Sequence, residues 1–299
     1  MKLIVICGPT ASGKSDVAVK IATELGAEIM NADSMQIYKG MDIGTAKLGL
    51  EERAGIPHHL LDVIDVRSDA TVAWYQEIAR ATISEIHGSG KDAVVVGGTG
   101  LYIKAILDEM NFPETDPVVR ARLELEAVEL GVAELFTRLE RLDPAAAASI
   151  DRANSRRVIR ALEVIEITGK PFTANLPREE SSLYPHARQF ALRTDREVLR
   201  ERVSARVDDM WNKGFISEVE ALVNDGIREG VTAQKAIGYA QILQFLSGEI
   251  SEEQALEDTK VATRQYIRRQ ETWFNRDERI DWLESNSNAA TEILKKINS

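Results

Sequence analysis

Short apolar runs alternate with helix-patterned stretches along much of the chain. Runs rich in valine and isoleucine are typical of buried strands. They lie at Leu3 to Cys7, Ala27 to Ala32, Leu60 to Val66, Ala93 to Val96, Phe190 to Arg193 and Ile280 to Leu283. In the stretches between them, as in Thr71 to His87, apolar residues recur with the period of a helix. This alternation predicts an α/β fold, a P-loop-type parallel sheet with helices on both faces.

A block without strand signals interrupts the alternation between Pro113 and Pro185. Asp116-Pro117 has the form of an N-cap and first-turn pair, and Gly169 with Pro171 marks a helix end. We therefore predict an all-helical insertion domain. The predicted division is a first core segment at 1–113, the insertion at 114–185 and a mostly helical second core segment at 186–299.

The longest helix is predicted near the carboxyl end of the chain. It begins after Ser251, which forms a capping box with Gln254, and ends near Phe274.

Composition narrows the function classes. The 299-residue chain has a formal net charge of -11, which argues against a protein that coats nucleic acid indiscriminately, although a local arginine face can still bind RNA. Its one cysteine, Cys7, excludes a disulfide framework and is expected to pack as a small apolar side chain. There is no leader signal and no apolar run of membrane-spanning length. We expect a soluble, cytoplasmic and monomeric protein.

A phosphate-binding loop follows the first predicted strand. Residues 8–15 read Gly-Pro-Thr-Ala-Ser-Gly-Lys-Ser, a complete GxxxxGK[ST] motif that leads into a helical pattern. In such a loop, backbone N–H groups surround phosphate oxygens, Lys14 reaches the terminal phosphate and the Ser15 hydroxyl can hold a magnesium ion. The motif therefore predicts binding of a polyphosphate or a diphosphate ester.

An acidic residue follows the second predicted strand, at the start of the segment Asp33 to Lys47. The carboxyl ends of parallel strands meet at one edge of a sheet, so Asp33 is expected to lie across the crevice from the phosphate loop. Asp33 is a candidate base there. The alternative is a structural role, in which Asp33 and Ser34 cap a turn or a helix.

The strand Ala93 to Val96 ends in Gly97-Gly98-Thr99 instead of the aspartate that a hydrolytic nucleotide motor usually carries there. Glycines allow backbone to approach a ligand closely, and the Thr99 hydroxyl would lie at the mouth of the crevice. A plain helix N-cap explains Thr99 as well. The adjacent pair His58-His59 points to opposite sides of an extended chain, so we expect a structural loop there and no metal site.

Two arginine-rich segments stand out from the acidic background. Arg152 to Arg160 contains four arginines within about 140° of helical arc and no acid. Arg264 to Arg276 adds Tyr266 and Trp273 to its arginines, a combination that suits unstacked bases and phosphates. Both segments are candidate RNA contacts. The alternatives are an ordinary solvated helix face for the first and core packing for the aromatic residues of the second.

Taken together, these motifs closely resemble those of the tRNA dimethylallyltransferases, also called tRNA isopentenyltransferases, over almost the full chain. The matching segments are GPTASGKS at 8–15, DSMQIYKGMDIGTAK at 33–47, HHLLD at 58–62, GGTGLY at 97–102, RRVIRALEV from 156, IGY at 237–239 and TRQYIRRQETWF at 263–274. The resemblance implies transfer of a five-carbon allyl group from dimethylallyl diphosphate to N6 of the adenosine 3′-adjacent to the anticodon, with Mg²⁺ as cofactor.

The resemblance also implies roles for individual residues. The phosphate loop would hold the diphosphate of the donor, with help from Arg206, and Asp33 would be the general base. Thr99 would contact the target adenosine, with Lys14 and Thr99 joining Asp33 in the catalytic set. The expected diphosphate-binding residues are Gly8, Pro9, Thr10, Ala11, Ser12, Gly13, Lys14, Ser15 and Arg206. Those expected to contact the tRNA anticodon stem-loop are Asp33, Ser34, Met35, Gln36, Thr99, Arg120, Arg156, Arg157, Val158, Ile159, Arg160, Arg264, Arg268 and Arg269.

The chain departs from the family pattern at two positions. The family commonly has glutamine where this chain has Arg156, and some relatives carry an arginine where Ala240 follows Gly-Tyr. Both departures concern expected tRNA contacts and leave the expected chemistry intact.

Two other functions use the same motifs. A small-molecule P-loop kinase would bind ATP in the loop and use Asp33 to activate a hydroxyl. A non-catalytic, nucleotide-dependent RNA binder would use Asp33 only as a turn cap. The kinase predicts phosphoryl transfer without tRNA, whereas the binder predicts no loss of function on Asp33→Ala.

Overall fold

A computed structural model describes residues 1–175 and 182–298 and divides the chain into two compact units. The first unit comprises Met1–Leu107 and Tyr184–Ser299, and the second comprises Asp108–Leu183.

The first unit is built on one six-stranded parallel sheet. Its strands are β1 Leu3–Cys7, β2 Glu28–Asn31, β3 His58–His59, β4 Ala93–Val96, β5 Arg188–Arg193 and β6 Ile280–Glu284. Their order across the sheet is β3-β2-β4-β1-β5-β6, and all the strand pairs are parallel. The predicted parallel α/β fold is confirmed.

Helices cover both faces of this sheet. Before the second unit in the chain, the first unit contributes α1 Lys14–Leu25, α2 Val72–Gly88 and α3 Gly100–Leu107. After the second unit it contributes α8 Arg196–Asn212, α9 Phe215–Asn224, α10 Tyr239–Leu246, α11 Glu252–Phe274 and α12 Ala289–Asn298. Alternate residues of β1 point to opposite faces. Val5 packs with α2 and α3, whereas Ile4 and Ile6 pack with α1 and α12. Burial on both faces explains why the strand is a continuous apolar run.

The predicted strand at Leu60 to Val66 is wrong. The chain leaves the sheet after β3, and Leu60 and Asp62 have φ angles of 61° and 55°, in the left-handed region and outside that of an extended strand. Only Ile64 makes a single bridge, to Tyr38. The two histidines, expected in a loop, instead form the edge strand. The His59 Nε2 atom lies 2.6 Å from a carboxylate oxygen of Glu28 in the neighbouring strand β2, so this contact joins two strands of the sheet.

The second unit has a helical core of its own. Its helices are α4 Pro117–Glu129, α5 Val132–Leu142, α6 Pro144–Ser149 and α7 Ser155–Thr168, followed by a 3₁₀ turn at Phe172–Asn175. The Asp116 side chain caps α4 by accepting the N–H groups of Val118 and Val119, and Gly169 ends α7 with a φ of 64°. This unit begins and ends a few residues earlier than the insertion predicted at 114–185.

The long helix near the carboxyl end was predicted closely. Ser251 caps α11 by accepting the Gln254 N–H at 3.2 Å. The second half of the expected capping box is wrong, because the Gln254 side chain donates to Asp258 instead of turning back to Ser251. No helix within residues 1–175 and 182–298 is long and apolar enough to cross a membrane.

Candidate active site

Three loops meet at the edge of the sheet where the central strands end. The phosphate loop follows β1, Asp33 follows β2 and Thr99 follows β4, and these three strands are neighbours in the sheet. The loops approach so closely that a Cβ on Gly97 would lie 2.2 Å from the Ala32 carbonyl oxygen. Only glycine fits at that position, which explains the Gly-Gly pair at the end of β4.

The phosphate loop has the backbone geometry that its sequence predicts. Gly8 and Gly13 have φ angles of 122° and 82°, which favour glycine, and α1 begins directly after Gly13. Ala11 has a φ of 62°. A non-glycine residue in this region carries strain that the surrounding structure must hold, and such strain is common in ligand-binding loops. The Lys14 ammonium donates to the Pro9 carbonyl at 3.1 Å, across the mouth of the loop.

Asp33 is held by the strand that precedes it. The buried Asn31 side chain accepts the Asp33 N–H at 3.0 Å and donates to the Asp33 carbonyl at 3.0 Å. One Asp33 carboxylate oxygen accepts the Met35 N–H at 2.9 Å. Asp33 therefore does cap a turn, as one alternative expected. It also lines a cavity, so a role as a turn cap does not exclude contact with a ligand.

The cavity beside Asp33 has a volume of about 290 Å³ and a mixed lining. Its polar side chains include Asp33, Arg206, Tyr266 and Arg269. Its apolar wall comes from α8 and α9, with Val203, Val207, Met210 and Phe215. Thr10, Ser34 and Met35 also line it, whereas Gln36 is not part of the lining and instead donates to the Thr45 carbonyl at 3.1 Å.

A second cavity of about 440 Å³ lies on the phosphate-loop side. It is lined by Gly13, Lys14 and Ser15, and it shares Arg206 and Met210 with the first cavity. Arg206 therefore lies at the junction of a space beside the phosphate loop and a space beside Asp33. This is the position expected for a residue that contacts a diphosphate group.

Burial sets the electrostatics at this junction. Loss of hydration lowers the pKa of Lys14 to about 8, with the positive charge of Arg206 also lowering it and the negative charge of Asp33 raising it. Burial likewise lowers the pKa of the Arg206 guanidinium, which Asp33 partly offsets. Two desolvated cations thus lie near one carboxylate. An anionic ligand would restore the charge balance and favour the protonated form of Lys14.

Thr99 connects the end of β4 to the Asp33 turn. Its hydroxyl oxygen accepts the Ser34 N–H at 3.1 Å, and its O–H lies 3.3 Å from the Ser34 hydroxyl oxygen. Burial raises the pKa of the nearby Tyr266 to about 12, and the negative charge of Asp33 raises it further. The Thr99 hydroxyl therefore binds the neighbouring loop, which is not the plain helix cap that was one expectation.

A half-buried glutamate supports one wall of the first cavity. The Glu218 carboxylate accepts N–H groups from Asp42, Ile43 and Gly44 at 3.1, 2.6 and 3.2 Å. It also accepts the Tyr239 O–H at 2.6 Å. Both Gly44 and Tyr239 line the cavity, so Glu218 fixes the turn that closes it.

The residues of α7 expected to contact tRNA differ in their surroundings. Val158 and Ile159 are buried in the core of the second unit, so their side chains face away from any ligand. Arg156 and Arg157 are exposed. The predicted single face that included Arg152 is wrong, because α7 begins at Ser155 and Arg152 precedes it.

Two further arginines of the second unit are engaged with a buried acid. The Glu163 carboxylate is fully buried and accepts hydrogen bonds from Arg120 at 2.5 Å and from Arg160 at 2.9 Å. Burial by itself raises the pKa of Glu163, but these two guanidinium groups outweigh it and hold the pKa below its ordinary value. Both arginines therefore stabilise the fold of this unit, whatever else they contact.

The arginines of α11 do not share one surface. Arg269 lines the first cavity and lies 5.8 Å from the Tyr266 ring centroid. Arg264 and Arg268 line a separate cleft of about 1060 Å³. Of the aromatic residues, Phe274 is buried in the core, whereas Trp273 is exposed and packs over Gly100. The expected common face is therefore divided between two sides of the helix.

The residues that sequence reasoning missed lie along one stripe of α11. Thr259, Thr263 and Gln270 recur there at helical spacing, on the side of the helix that carries the already predicted Tyr266, and Thr259 and Gln270 are buried. A stripe of polar side chains on the inward face of a helix could have identified them. Glu218 had no such signal, because the Ile43 N–H that it accepts lies 175 residues away in the sequence.

Comparisons with known proteins identify the family of the chain. A family model described as IPP transferase matches residues 36–277. The chain is 57% identical over 286 residues to the tRNA dimethylallyltransferase of Thermobifida fusca (strain YX). This alignment covers 94% of this chain and 89% of that protein. The chain is 53% identical over 282 residues to the enzyme of the same name from Streptomyces griseus, with coverage of 94% and 90%.

Solved structures show the same fold. The full-length tRNA isopentenylpyrophosphate transferase from Bacillus halodurans superposes with a TM-score of 0.72 at 38% identity, covering 99% of this chain and 94% of that one. A eukaryotic dimethylallyltransferase captured in crystals acting on tRNA gives a TM-score of 0.81 at 28% identity, covering 96% of this chain and 75% of that one. With a family match over most of its length and these close relatives, the chain belongs to the IPP transferase family.

Proposed function

We propose that this protein transfers a dimethylallyl group from dimethylallyl diphosphate to N6 of the adenosine 3′-adjacent to the anticodon in tRNA, and releases diphosphate. The observation that carries the proposal is the position of Arg206. It lies between the cavity lined by Lys14 and Ser15 and the cavity lined by Asp33. The cavity beside the phosphate loop offers the cations Lys14 and Arg206 to a leaving diphosphate, and the cavity beside Asp33 offers a base to an amino group.

In the proposed reaction, a bond forms between N6 of adenine and the first carbon of the allyl group. The bond from that carbon to the diphosphate oxygen breaks, and its electron pair leaves with the diphosphate. An adenine amino group is a weak nucleophile because its lone pair is delocalised into the ring. The Asp33 carboxylate accepts the N6 proton as the new bond forms, which lowers the barrier.

The apolar wall of the first cavity suits the five-carbon group. Val203, Val207 and Met210 lie on one face of α8, and Arg206 lies beside them on the same helix. A donor whose diphosphate contacts Arg206 can therefore lay its hydrocarbon tail against this wall. The adenine must leave the anticodon-loop stack to reach Asp33, so we propose that the base is swung out into the cavity.

A magnesium ion fits the residues present at the phosphate loop. Mg²⁺ is usually bound through few protein oxygens, with substrate phosphates and water completing its shell. Ser15 supplies a hydroxyl beside Lys14 in the same cavity. We propose that Ser15 would hold the ion, which would neutralise charge on the diphosphate.

We propose that the helical unit and α11 bind the tRNA stem-loop. The contacts that fit this role are exposed arginines: Arg156 and Arg157 on α7, and Arg268 and Arg269 on α11. Arg269 beside Tyr266 offers a cation next to an aromatic ring at the cavity that would receive the base. We further propose that the protein acts as a monomer in the cytoplasm.

The direct test combines purified protein, magnesium, dimethylallyl diphosphate and unmodified tRNA. We expect mass spectrometry of the digested tRNA to show prenylated adenosine next to the anticodon. A parallel reaction replaces the donor with ATP and small acceptors. Phosphoryl transfer without tRNA, and no prenylation, would favour a kinase instead.

Donor affinity is expected to fall as the pH rises above 8. Lys14 has a pKa of about 8 in the free protein, and a bound diphosphate stabilises its charged form. Binding above pH 8 therefore requires uptake of a proton, and the affinity should fall by up to about tenfold per pH unit. Calorimetric titration of dimethylallyl diphosphate between pH 7 and 9.5 measures this dependence. Lys14→Arg stays charged over that range and should lack the pH step.

Loss of two exposed arginines is expected to reduce the salt dependence of tRNA binding. The double variant Arg156→Ala with Arg157→Ala should flatten the slope of log affinity against log salt by about 0.7 to 0.9 for each phosphate that is no longer neutralised. Fluorescence anisotropy of a labelled anticodon stem-loop measures the slope. Arg141→Ala removes an exposed arginine of α5 and serves as the control. Equal slopes in all three proteins would contradict a phosphate contact at α7.

Arg160 is unsuitable for that experiment. Its removal would leave the buried Glu163 carboxylate with one fewer partner, and breaking a buried ion pair costs about 3–5 kcal/mol. A loss of tRNA affinity would then reflect unfolding of the helical unit.

A further inference from the structure

A buried glutamine joins two of the loops that form the site. The Gln270 side-chain oxygen accepts the Thr10 N–H of the phosphate loop at 2.9 Å. Its side-chain nitrogen donates to the Gly98 carbonyl, at the end of β4, at 2.9 Å. Gln270 is 4% exposed and is not among the residues that line the cavity. It therefore contacts both loops without being open to a ligand.

The orientation of this amide follows from its partners. The Thr10 N–H can only donate and the Gly98 carbonyl can only accept, so one end of the side chain must be an oxygen and the other an NH₂ group. A glutamine satisfies both in one orientation. The flipped amide would set its NH₂ group against the Thr10 N–H and its oxygen against the Gly98 carbonyl, and neither pair can form a hydrogen bond. At neutral pH neither a glutamate nor a methionine side chain can satisfy both partners.

The surroundings leave little room for movement. A Cβ on Gly98 would lie 2.2 Å from the Gln270 side-chain nitrogen, so the close approach depends on glycine at that position. Tyr266, one turn earlier on α11, lies close enough to Gln270 and Thr99 for both to lower its pKa. A continuous set of contacts thus runs from Thr10 through Gln270 and Gly98 to the loop that carries Thr99.

We propose that Gln270 is a positioning residue, which sets the distance between the phosphate loop and the Thr99 loop and thereby aligns the two reactants. This inference rests on the proposed function, because the two loops are those assigned to the donor diphosphate and to the target adenosine. Gln270 itself touches neither reactant. It acts through the Thr10 amide on one side and through the Gly98 carbonyl on the other.

A positioning role has a specific kinetic consequence. Each reactant binds to its own loop and should keep its affinity when the link between the loops is lost. Transfer requires both reactants to be aligned, and a displacement of about 1 Å costs roughly 100-fold in rate. We therefore expect Gln270→Glu to lower the single-turnover rate of the ternary complex by about 100-fold. The dissociation constants for donor and stem-loop, each measured alone, should stay within about threefold.

The pH profile of Gln270→Glu separates positioning from simple packing. The introduced carboxylate can accept the Thr10 N–H but faces the Gly98 carbonyl with a second acceptor. Once protonated, it can donate its O–H to that carbonyl and restore both contacts. Its pKa should exceed the ordinary value of about 4.3, because burial disfavours the charged form. The rate relative to the unchanged protein should therefore recover as the pH falls from 8 towards 5.

Two further variants complete the experiment. Gln244→Glu adds the same charge at an exposed position of α10 that lines neither cavity, and it should leave rate and affinity unchanged. Gln270→Met keeps the side-chain length and removes both hydrogen bonds, so it should lose rate at every pH without recovery. Thermal denaturation establishes that each variant is folded, and Gln270→Met carries the test if Gln270→Glu does not fold.

The outcomes are distinct. A folded Gln270 variant whose single-turnover rate stays within about threefold of the unchanged protein would overturn the inference. Equal losses of rate and of both affinities, with no recovery of Gln270→Glu at low pH, would also overturn it and leave Gln270 a packing residue. Absence of transfer by the unchanged protein would refute the proposed function and, with it, this role.

Discussion

Asp33→Asn is expected to lower the rate of prenyl transfer by about 10²- to 10⁴-fold, the contribution typical of a general base. Asparagine has the same shape and keeps an oxygen that can accept the Met35 N–H, so the turn should survive. It cannot accept the N6 proton. Single-turnover measurements with saturating donor and tRNA give the rate, and anisotropy gives the tRNA affinity, which should change little.

A matched control for this variant exists elsewhere in the chain. Asp65 makes the same kind of turn, with its carboxylate accepting the Arg67 N–H at 3.0 Å, and it does not line the cavity beside Asp33. Asp65→Asn removes a charge from an equivalent turn and should keep the full rate. Near-normal transfer by Asp33→Asn would show that Asp33 serves only as a turn cap, as in the RNA-binder alternative.

Lys14→Met is expected to reduce turnover by about 10²- to 10³-fold, as for other preorganised contacts to developing negative charge. The charge on the diphosphate grows as its bond to carbon breaks, so the ammonium stabilises the transition state more than the bound donor. Turnover should therefore fall more than donor affinity. Steady-state kinetics at pH 7, below the Lys14 pKa of about 8, separates the two effects.

Lys20→Met provides the comparison for Lys14, because Lys20 is exposed on the same helix. It should leave turnover unchanged. If Lys14→Met raised the Michaelis constant for the donor without changing the turnover number, Lys14 would contribute to uniform binding only.

The parts of the site that sequence predicted have local causes. The phosphate loop is recognisable because its glycines are required by backbone angles, as at Gly13 with a φ of 82°. Asp33 and Thr99 were predicted because each follows a strand, and the ends of neighbouring parallel strands meet at one edge. Three of the matching segments that carried the family resemblance, at 8–15, 33–47 and 97–102, lie at these same loops.

The parts that sequence missed depend on distant contacts. Gln270 is 172 residues from Gly98 and 260 from Thr10. The polar stripe of α11 separates it from the exposed Gln265, but nothing local shows which two loops it joins. The error at Leu60 to Val66 has a similar cause. Asp62 has a positive φ and forms an ion pair with Lys47 at 2.6 Å. The apolar residues around it have the composition of a strand and give no sign of this turn.

The arginine faces show why periodicity alone is ambiguous. Arg264 and Arg269 are five residues apart, which is about 140° around a helix, and a helix packed on several sides can divide such an arc. Arg264 lines one cleft and Arg269 another. Likewise, the sequence predicts Arg160 on a charged helix face, whereas in the structure its guanidinium binds the buried Glu163 carboxylate. Sequence predicts which residues carry charge, whereas tertiary packing decides where that charge is presented.

The central claim is that the phosphate loop and Asp33 hold a prenyl diphosphate and an extruded adenine within bonding reach. A crystal structure of the protein with magnesium, a non-reactive thio analogue of the donor and an anticodon stem-loop tests it most directly. We predict the diphosphate in the loop at residues 8–15, against Lys14 and Arg206, and adenine N6 within hydrogen-bonding distance of the Asp33 carboxylate. An empty loop, or an Asp33 side chain turned away from the base, would contradict the account.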